Sequence, residues 1–409
     1  MVVFNFGPVS RATLWLVLAS SMTAQQSTPR DPQTRPAASR PDDVRRLSTA
    51  ITTAAEYLER SCDAHGRFAY LVDTDSGRIS SSYNIVRHAG AVYAFAMFNR
   101  FHPDSDAVGA MLRASDFMRR NYALRDGRSD SVAVWSRPAP ENKEAELGAA
   151  GLALVALTEV QRARTNSVPA DQLQGIGEFI LFLQRPDGSF YSKYRADTGP
   201  VLDWRSLYYP GEAILGLVSL YELDHSPKWL NAAAKGLAYL VESRKGAKDP
   251  PPDHWALIAT AKFLPYYKQS SCPVSRSDIV EHAVRICNHF LNEQITKSPD
   301  GRLIGGFDPE GRTTPTATRL EGLFAALEFL PADVTALRAR IKAAVDRGVD
   351  FLLRAEITSG PYAGGMPESA LKATSVVFRA TPEASKVRID YVQHALCAWL
   401  RYESMFGKK

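Results

Sequence analysis

Apolar residues recur along most of the chain at intervals of three and four, which is the period of an amphipathic α-helix. Clusters of Gly, Pro and Asp interrupt this pattern, and the alternation typical of half-buried β-strands is scarce. The pattern therefore predicts an all-α protein. Twelve helices are expected, at about residues 43–61, 84–101, 105–121, 141–163, 169–184, 208–224, 226–243, 253–268, 276–294, 316–329, 333–355 and 388–404.

The expected helices are of two alternating kinds. The first member of each pair keeps a charged face and is expected at the surface. The second begins with a polar residue and is then small or apolar on every side, which requires burial on every side. The six stretches of this second kind are RHAGAVYAFAMF, AELGAAGLALVAL, PGEAILGLVSLY, DHWALIATAKFL, TRLEGLFAALEFL and VQHALCAWLRY. Six buried helices alternating with six amphipathic helices predict an (α/α)6 toroid, in which an outer ring encloses an inner ring.

Four of the connections from an outer helix to an inner helix share a pattern. They are CDAHGRFAY (62–70), QRPDGSFYSKY (184–194), SPDGRLIGGF (298–307) and PYAGGMPES (361–369). Each joins a glycine, which permits a tight turn, to an aromatic or Met side chain that can close the end of the barrel.

Two architectural resemblances follow from these residues. An outer helix followed by Gln184, Asp187, Gly188 and Phe190 resembles the repeat of the terpenoid cyclase and prenyltransferase toroids. Six helix pairs with acidic residues at the starts of the inner helices are similar to the six-hairpin glycosidases. Both resemblances imply one toroidal domain over residues 46–405 with a central cavity.

The chain departs from the terpenoid toroids in the residues that carry their chemistry. Those cyclases use an Asp-x-Asp-Asp cluster, whereas Asp73 and Asp75 lie in a glycine loop that lacks the fourth position. The prenyltransferases hold zinc with Asp, Cys and His, and the chain has no Asp-x-Cys partner for Asp390 and His394. The resemblance therefore implies the fold without the reaction.

The first 45 residues differ in character from the rest. Residues 1–24 contain one basic residue, an apolar run too short to span a bilayer, and small residues ending at Ala24, which is the layout of a signal peptide. Residues 25–45 form a Pro-rich polar linker. The sequence thus predicts export to the periplasm or the extracellular space, without a stable membrane anchor.

Charge and cysteine content narrow the classes of ligand. The formal net charge is +5, and the first 46 residues hold six Arg against three Asp, so the remaining body is close to neutral. This balance argues against a nucleic acid partner. No C-x-x-C or His-rich cluster is present, so neither a metal nor another cofactor is expected. Cys272 and Cys287 are compatible with one disulfide in an exported protein and equally with buried thiols.

The inner helices of such a toroid run in parallel, so their N-terminal ends meet at one face of the cavity with their partial positive charges. The polar and aromatic residues near these ends are the candidate site. They are Tyr83, Asn84, Arg87 and His88; Glu146; Trp204, Tyr208, Tyr209 and Glu212; His254 and Trp255; Arg319 and Glu321; and Asp390, Gln393 and His394.

Glu212 and Glu321 are the expected carboxylate pair, because glycoside hydrolysis requires one acid and one base or nucleophile from opposite sides of the substrate. Capping of a helix by Glu212 and an ion pair between Glu321 and Arg319 are the structural alternatives. The aromatic residues of the set suit stacking on a sugar face, and they are equally compatible with plain core packing.

Two histidines are expected to transfer or orient protons. His394 lies one helical turn after Asp390, so the carboxylate is expected to be its partner. His88 stands beside Arg87, and Arg87 and Arg319 are expected to hold an anionic group. The alternative for His88 is a hydrogen-bonded histidine of the core.

The sequence thus predicts an exported carbohydrate-active protein that cleaves or epimerises a glycan or uronate-containing polymer, as a glycoside hydrolase, polysaccharide lyase or epimerase. Two alternatives stay open: a terpenoid-cyclase-like toroid acting on an isoprenoid, and a non-catalytic toroid that binds a glycan or peptide. Several carboxylates and arginines in the cavity would favour a sugar, and a mostly aromatic wall would favour an isoprenoid. First-turn groups closed in mutual salt bridges would favour a binding protein.

Overall fold

A computed structural model describes residues 40–103, 107–128, 130–371 and 386–407. The predicted signal peptide, residues 1–24, and residues 25–39 of the predicted linker lie outside this part. The described residues form twelve α-helices and seven short strands. None of these helices is both long enough and apolar enough to cross a membrane.

The helices alternate between an outer and an inner ring. The outer helices are α1 (Arg40–Ser61), α3 (Val108–Asn121), α5 (Ala170–Leu183), α7 (Pro227–Ser243), α9 (Arg276–Glu293) and α11 (Thr335–Ala355). The inner helices are α2 (Ile85–Phe101), α4 (Leu147–Ala163), α6 (Tyr209–Asp224), α8 (His254–Phe263), α10 (Thr313–Phe329) and α12 (Ile389–Tyr402).

The inner helices form a closed ring. Each contacts the next in the order α2, α4, α6, α8, α10, α12, and α12 contacts α2 again. Nearly every residue of α4 and α12 is buried, as expected for helices that are apolar on all sides. The outer helices pack around this ring, with α3 on α2, α5 on α4, α7 on α6 and α11 on α10. The predicted (α/α)6 toroid is confirmed.

Helix boundaries differ from the prediction where a local group intervenes. Helix α8 stops at Phe263 and continues as the 3-10 helix Leu264–Gln269, because Pro265 lacks the N–H that an α-helix needs. Helix α4 begins at Leu147, six residues later than expected, because Glu144–Glu146 is a strand. Helix α1 begins at Arg40 and so includes the last six residues of the predicted linker.

The strands form three small antiparallel sheets. They are β1 (Leu71–Asp73), β2 (Ala123–Arg125), β3 (Val132–Val134), β4 (Glu144–Glu146), β5 (Lys193–Arg195), β6 (Gly199–Pro200) and β7 (Lys386–Arg388). Strand β1 pairs with β7, β2 with β3, and β4 with β5, which also pairs with β6. Because β7 leads directly into α12 and pairs Arg388 with Leu71, this sheet fixes where α12 begins.

The four repeated loops each dock on the next outer helix. Each loop places one glycine at φ between +82° and +93°, where a Cβ atom would lie 1.9 to 2.4 Å from a main-chain carbonyl oxygen. These docking glycines and the residues they face are Gly66 on Arg113, Gly188 on Lys235, Gly305 on Arg347, and Gly364 on Thr53. Only glycine combines this backbone conformation with so close an approach. The fourth loop docks on α1, which joins the last helix pair to the first.

Side chains strengthen two of these contacts. Gln184 donates from Nε2 to the carbonyl of Ala232 at 2.8 Å, and Gln294 donates to Ala344 at 2.8 Å and to Gly305 at 3.1 Å. The residues expected to close the barrel end, Phe68, Phe190, Phe307 and Met366, are all buried.

Ion pairs line the opposite end of the barrel, where the inner helices terminate. The buried carboxylate of Glu159 accepts from Arg100 at 3.1 Å and from Arg162 at 2.5 Å. Arg162 also reaches Glu222 at 2.6 Å, as does Lys262. Of these groups, Arg100, Glu159, Glu222 and Lys262 border a cavity of about 380 Å³, and all of them are paired within this network.

All four cysteines are free thiols. Of the two alternatives for Cys272 and Cys287, the structure therefore has the thiols. Cys287 is fully buried and Cys272 is partly exposed.

Candidate active site

A cavity of about 450 Å³ opens at the end of the barrel where the inner helices begin. Eleven of the sixteen candidate residues line it. They are Asn84, Arg87, Tyr208, Tyr209, Glu212, His254, Trp255, Arg319, Asp390, Gln393 and His394. The parallel arrangement of the inner helices brings these residues together from positions up to 310 apart in the chain.

His254 is the first residue of α8 and is held there by a buried ion pair. Asp253 caps the helix by accepting from the backbone N–H of Ala256 at 3.0 Å, and Arg244 donates to its other oxygen at 2.8 Å. Burial lowers the pKa of His254 well below its usual value, and the positive charge of Arg319 acts in the same direction. Nε2 of His254 is buried and has no hydrogen-bond partner among the described residues. The side chain is thus a neutral imidazole with a free nitrogen.

His394 is oriented by a buried carboxylate from the neighbouring helix. Oε1 of Glu321 lies 2.7 Å from Nδ1 of His394, and Glu321 is fully buried. A carboxylate oxygen that accepts this hydrogen bond engages the proton of Nδ1, which leaves Nε2 as the nitrogen that can act on a substrate. The amide of Gln393 is farther from Nδ1, at 3.3 Å. The rings of His254 and His394 meet nearly perpendicularly, with their centroids 5.8 Å apart.

Asp390 is not the partner of His394, contrary to the prediction. Its carboxylate accepts from Nε of Arg87 at 3.1 Å and from Nε and Nη2 of Arg388 at 2.5 and 2.9 Å. Charge-assisted bonds from two guanidinium groups are stronger than one bond to an imidazole. The spacing of Asp390 and His394 permits their pairing, but tertiary contacts decide otherwise.

His88 lies outside the cavity and ties two helices together. Its Nδ1 is 2.7 Å from the hydroxyl of Tyr83, and its Nε2 is 2.9 Å from the carbonyl oxygen of Ala114 on α3. Burial lowers the pKa of His88 to about 4. The structure places both side chains away from the cavity lining, which disfavours the predicted roles of His88 in proton transfer and of Tyr83 in substrate binding.

Glu212 and Glu321 do not form a carboxylate pair across the cavity. Glu212 lines the cavity, and its Oε2 has no hydrogen-bond partner within the described chain. Burial raises the pKa of Glu212 well above its usual value, and the charges of Asp253 and Glu146 raise it further. Glu212 is therefore a neutral acid, whereas Glu321 lies behind His394 and serves that residue.

Arg319 lines the cavity, but its charge is engaged. Nε of Arg319 lies 3.0 Å from Oε2 of Glu293, and its side chain is 13% exposed. The alternative that Arg319 pairs with Glu321 is wrong.

The remaining two candidates lie beyond the cavity wall. Glu146 precedes α4 and pairs with Lys193 at 3.4 Å. Trp204 is 40% exposed and packs on Tyr209, with ring centroids 5.6 Å apart, while the ammonium of Lys193 lies 4.7 Å from the Trp204 ring. Through these contacts Trp204 extends the aromatic surface of Tyr209 away from the cavity.

No group of three or more His, Cys, Asp and Glu side chains in the described part of the chain is arranged to hold a metal ion.

Three of the solved structures that are similar to this chain are named for activities on carbohydrates. No family model matches the sequence, and no curated protein is detectably similar to it. A cellobiose 2-epimerase from Bacillus thermoamylovorans has 13% identity and a TM-score of 0.67, over 89% of this chain and all of its own. A family 76 α-mannanase from Bacteroides thetaiotaomicron has 12% identity and a TM-score of 0.62, over 88% of this chain and 97% of its own.

An unsaturated glucuronyl hydrolase specific for heparin has 12% identity and a TM-score of 0.63, over 90% of this chain and 98% of its own. The chain has the six-hairpin glycosidase-like toroid fold. At these identities the likeness concerns the fold, and the chemistry of this toroid must be argued from its own cavity.

Several lining residues of this toroid were missed in the sequence. They are Arg312, Glu368, Arg388 and Tyr391, with Thr314 and Thr318. Arg388 precedes its helix and belongs to β7, and Glu368 lies in the fourth repeated loop. The charge of Arg388, two residues before Asp390, is the signal in the sequence, but Arg388 lies before the first turn of its helix.

Proposed function

We propose that the protein is a carbohydrate-active enzyme that transfers a proton at the carbon beside a sugar carbonyl, as a sugar 2-epimerase or aldose–ketose isomerase does. The observation that carries this proposal is the pair of cavity-lining imidazoles, His254 and His394. One has an unpartnered nitrogen and a lowered pKa, and the other has its tautomer set by Glu321. Two imidazoles beside each other suit this reaction, since one in its neutral form can remove a proton and one in its protonated form can return a proton.

The reaction begins on the open-chain aldose. One imidazole removes the proton from C2, the C–H electron pair forms the C1–C2 double bond, and the carbonyl electrons move to O1. Glu212, kept protonated by its surroundings, can donate a hydrogen bond to the developing charge on O1. Return of a proton to the opposite face of C2, from the second imidazole in its protonated form, gives the epimer. Delivery of the proton to C1 instead, while the proton on O2 moves to O1, gives the ketose.

The cavity lining favours a sugar over the two alternatives. Four arginines and three carboxyl groups line it, which differs from the aromatic wall expected for an isoprenoid. Among the described residues Glu212 forms no ion pair, whereas in a binding protein every first-turn group would be closed in a salt bridge. Lyase chemistry also starts with proton removal, and it would be recognised by an unsaturated product.

Glycoside hydrolysis is the second candidate, because the raised pKa of Glu212 is what a general acid requires. Its base would have to come from a carboxylate other than Glu321. Release of reducing ends from an oligosaccharide, without exchange at C2, would favour it over epimerisation.

The test is incorporation of deuterium at C2 when aldoses and uronic acids are incubated with the enzyme in D₂O. The expected result is exchange followed by formation of the 2-epimer or the ketose, seen by NMR. His254→Gln and His394→Gln are each expected to slow exchange by about 100-fold or more. His282→Gln is the matched control, since His282 is also a buried imidazole with an unpartnered Nε2 but lies outside the cavity. Absence of exchange on every sugar would contradict the proposal.

We further propose that the enzyme acts outside the cytoplasm, on the evidence of the signal-like pattern of residues 1–24. The mass of the protein recovered from the periplasm or the medium tests this. A start at residue 25 is expected, and an intact N-terminus in the cytoplasm would contradict it.

A further inference from the structure

Two arginines share one carboxylate in the wall of the cavity. Asp390 is 7% exposed and accepts from both Arg87 and Arg388, whose side chains are 37% and 24% exposed. All three residues line the cavity. Two guanidinium groups beside one carboxylate leave one positive charge uncompensated at this place.

Each of these arginines keeps a free donor. Arg87 uses Nε on Asp390 and Nη1 on the hydroxyl of Tyr70, and Arg388 uses Nε and Nη2 on Asp390. Nη2 of Arg87 and Nη1 of Arg388 make no hydrogen bond within the part of the chain that the structure describes. Both donors are available to a ligand.

The other charged groups of the cavity lining do not cancel the excess positive charge of Arg87 and Arg388. Arg319 is engaged by Glu293, and Arg312 by Glu310. The pKa of Arg312 is raised first by Glu310, then by Asp308 and Glu368, so the field of Glu368 acts on Arg312. Glu212, the third acid of the lining, is held neutral by burial. The arginine pair is therefore the electropositive part of the cavity.

The position of the pair relative to the histidines sets the geometry of a ligand. Asp390 and His394 are four residues apart on α12, which is about 6 Å along the helix axis. That separation is comparable to the span of a hexose from C2 to C6. A sugar whose C2 lies at the imidazoles can therefore extend a group on C6 toward the arginines.

We infer that the substrate is a hexose with an anionic group on C6, which Arg87 and Arg388 bind while the imidazoles act at C2. This inference rests on the proposed function and names its substrate class. A carboxylate, as in a hexuronate, and a phosphate, as in a hexose 6-phosphate, offer the same chemistry to two guanidinium groups.

The experiment compares D-glucuronate, D-glucose 6-phosphate and D-glucose, by deuterium exchange at C2 and by calorimetric titration. At least one anionic sugar is expected to exceed glucose by about tenfold or more in kcat/KM, and the better of the two identifies the anion. Arg87→Gln and Arg388→Gln are expected to raise KM for that sugar by about tenfold to a hundredfold, with little effect on glucose.

Arg100→Gln is the matched control. Arg100 and Arg162 share the buried carboxylate of Glu159 at the opposite end of the barrel, just as Arg87 and Arg388 share Asp390. This variant removes one of two arginines from a buried carboxylate and leaves the candidate active-site cavity unchanged, so KM for the anionic sugar should not change.

Failure of the inference and failure of the proposed function are distinguishable. Exchange on glucose that equals exchange on both anionic sugars would overturn the inference and leave the function standing. Equal losses on all three sugars in Arg388→Gln would also overturn it, because they indicate a structural role. If no sugar exchanges but an anionic sugar binds in a manner that depends on Arg388, the inference stands and the proposed reaction fails. If neither anionic sugar binds nor exchanges, the inference is overturned.

Discussion

At the scale of single residues, the site depends on groups that do not touch the cavity. Glu321 is fully buried and acts through His394, and Asp253 is fully buried and fixes the residue at which α8 begins. Both are positioning residues, since the atoms that can meet a substrate belong to the two histidines. Asp253 accepts hydrogen bonds on both oxygens, which offsets the cost of its burial, whereas Oε2 of Glu321 has no hydrogen-bond partner among the described residues.

Replacement of Glu321 tests this positioning. In Glu321→Gln the amide can donate to Nδ1 of His394, which moves the proton to Nε2 and removes the base. We expect kcat for exchange at C2 to fall by about 100-fold or more. Glu328→Gln, on the same helix but paired with Arg401 at the far end, is the control and should keep full activity. Equal activity in the two variants would contradict the assignment of the tautomer.

His88 makes the stability of the protein depend on pH. Its pKa is 6.5 in the unfolded chain and about 4 in the fold, so the folded state binds fewer protons in this interval. The free energy of unfolding that depends on neutral His88 is fully present above pH 6.5. It falls by about 3 kcal/mol in total as the pH falls toward 4.

Urea denaturation of the wild type and of His88→Gln at several pH values measures this effect. The wild type should lose about 3 kcal/mol relative to the variant between pH 6.5 and 4. The comparison isolates His88 from His254 and His282, whose pKa values are also lowered by burial. A difference that stays constant with pH would contradict the buried neutral state.

At the scale of elements, the repeated loops fix each outer helix against the next. Gly188→Ala would place a methyl group 2.4 Å from the carbonyl oxygen of Lys235 at φ +88°. We expect it to lower the free energy of unfolding by about 3 kcal/mol or more. Gly246→Ala is the control, because Gly246 has φ +80° and open space around it, and it should cost only about 1 kcal/mol. Equal losses would mean that backbone strain, and not the contact, is decisive.

The type and order of the elements could be predicted from the sequence because burial on all sides leaves a direct trace in composition. The start of α4 could not, since Glu144–Glu146 is held as a strand by its pairing with Lys193–Arg195, about 50 residues away. The same limit applies inside the site. The four-residue spacing of Asp390 and His394 predicts that they pair. In the fold, the partner of His394 is Glu321, which lies 73 residues away in the chain.

The location of the candidate site is more predictable from the sequence than the contacts of its side chains. Eleven candidates line the cavity because their position at the start of an inner helix follows from the architecture. His88 lies in the first turn of α2 and yet faces α3, because the side to which a first-turn residue points depends on how far each helix is rotated. Helix rotation is set by packing, which local sequence does not specify.

At the scale of the whole molecule, the ring is closed by contacts and not by the covalent chain. Helix α1 contacts the π-helical turn Glu403–Gly407, so the first and last described elements are neighbours. A circular permutant that links residue 407 to residue 40 and opens between Thr165 and Asn166, an exposed turn, should therefore fold.

The permutant is expected to keep the helical circular dichroism spectrum and a melting temperature within about 10 °C of the wild type. A permutant opened inside the fourth repeated loop, between Gly364 and Gly365, is the control and should be much less stable. Similar melting temperatures for both would show that the docking of this loop on α1 is unimportant.

The contact of Gly364 with Thr53 also determines how the molecule opens. Arrays of helical pairs fray from their terminal repeats, because a terminal repeat has one neighbour instead of two. In this ring every pair has two neighbours, including the pair that begins with α1. Amide hydrogens of α1 should therefore exchange as slowly as those of α7, through global unfolding and not through the partial opening of an end.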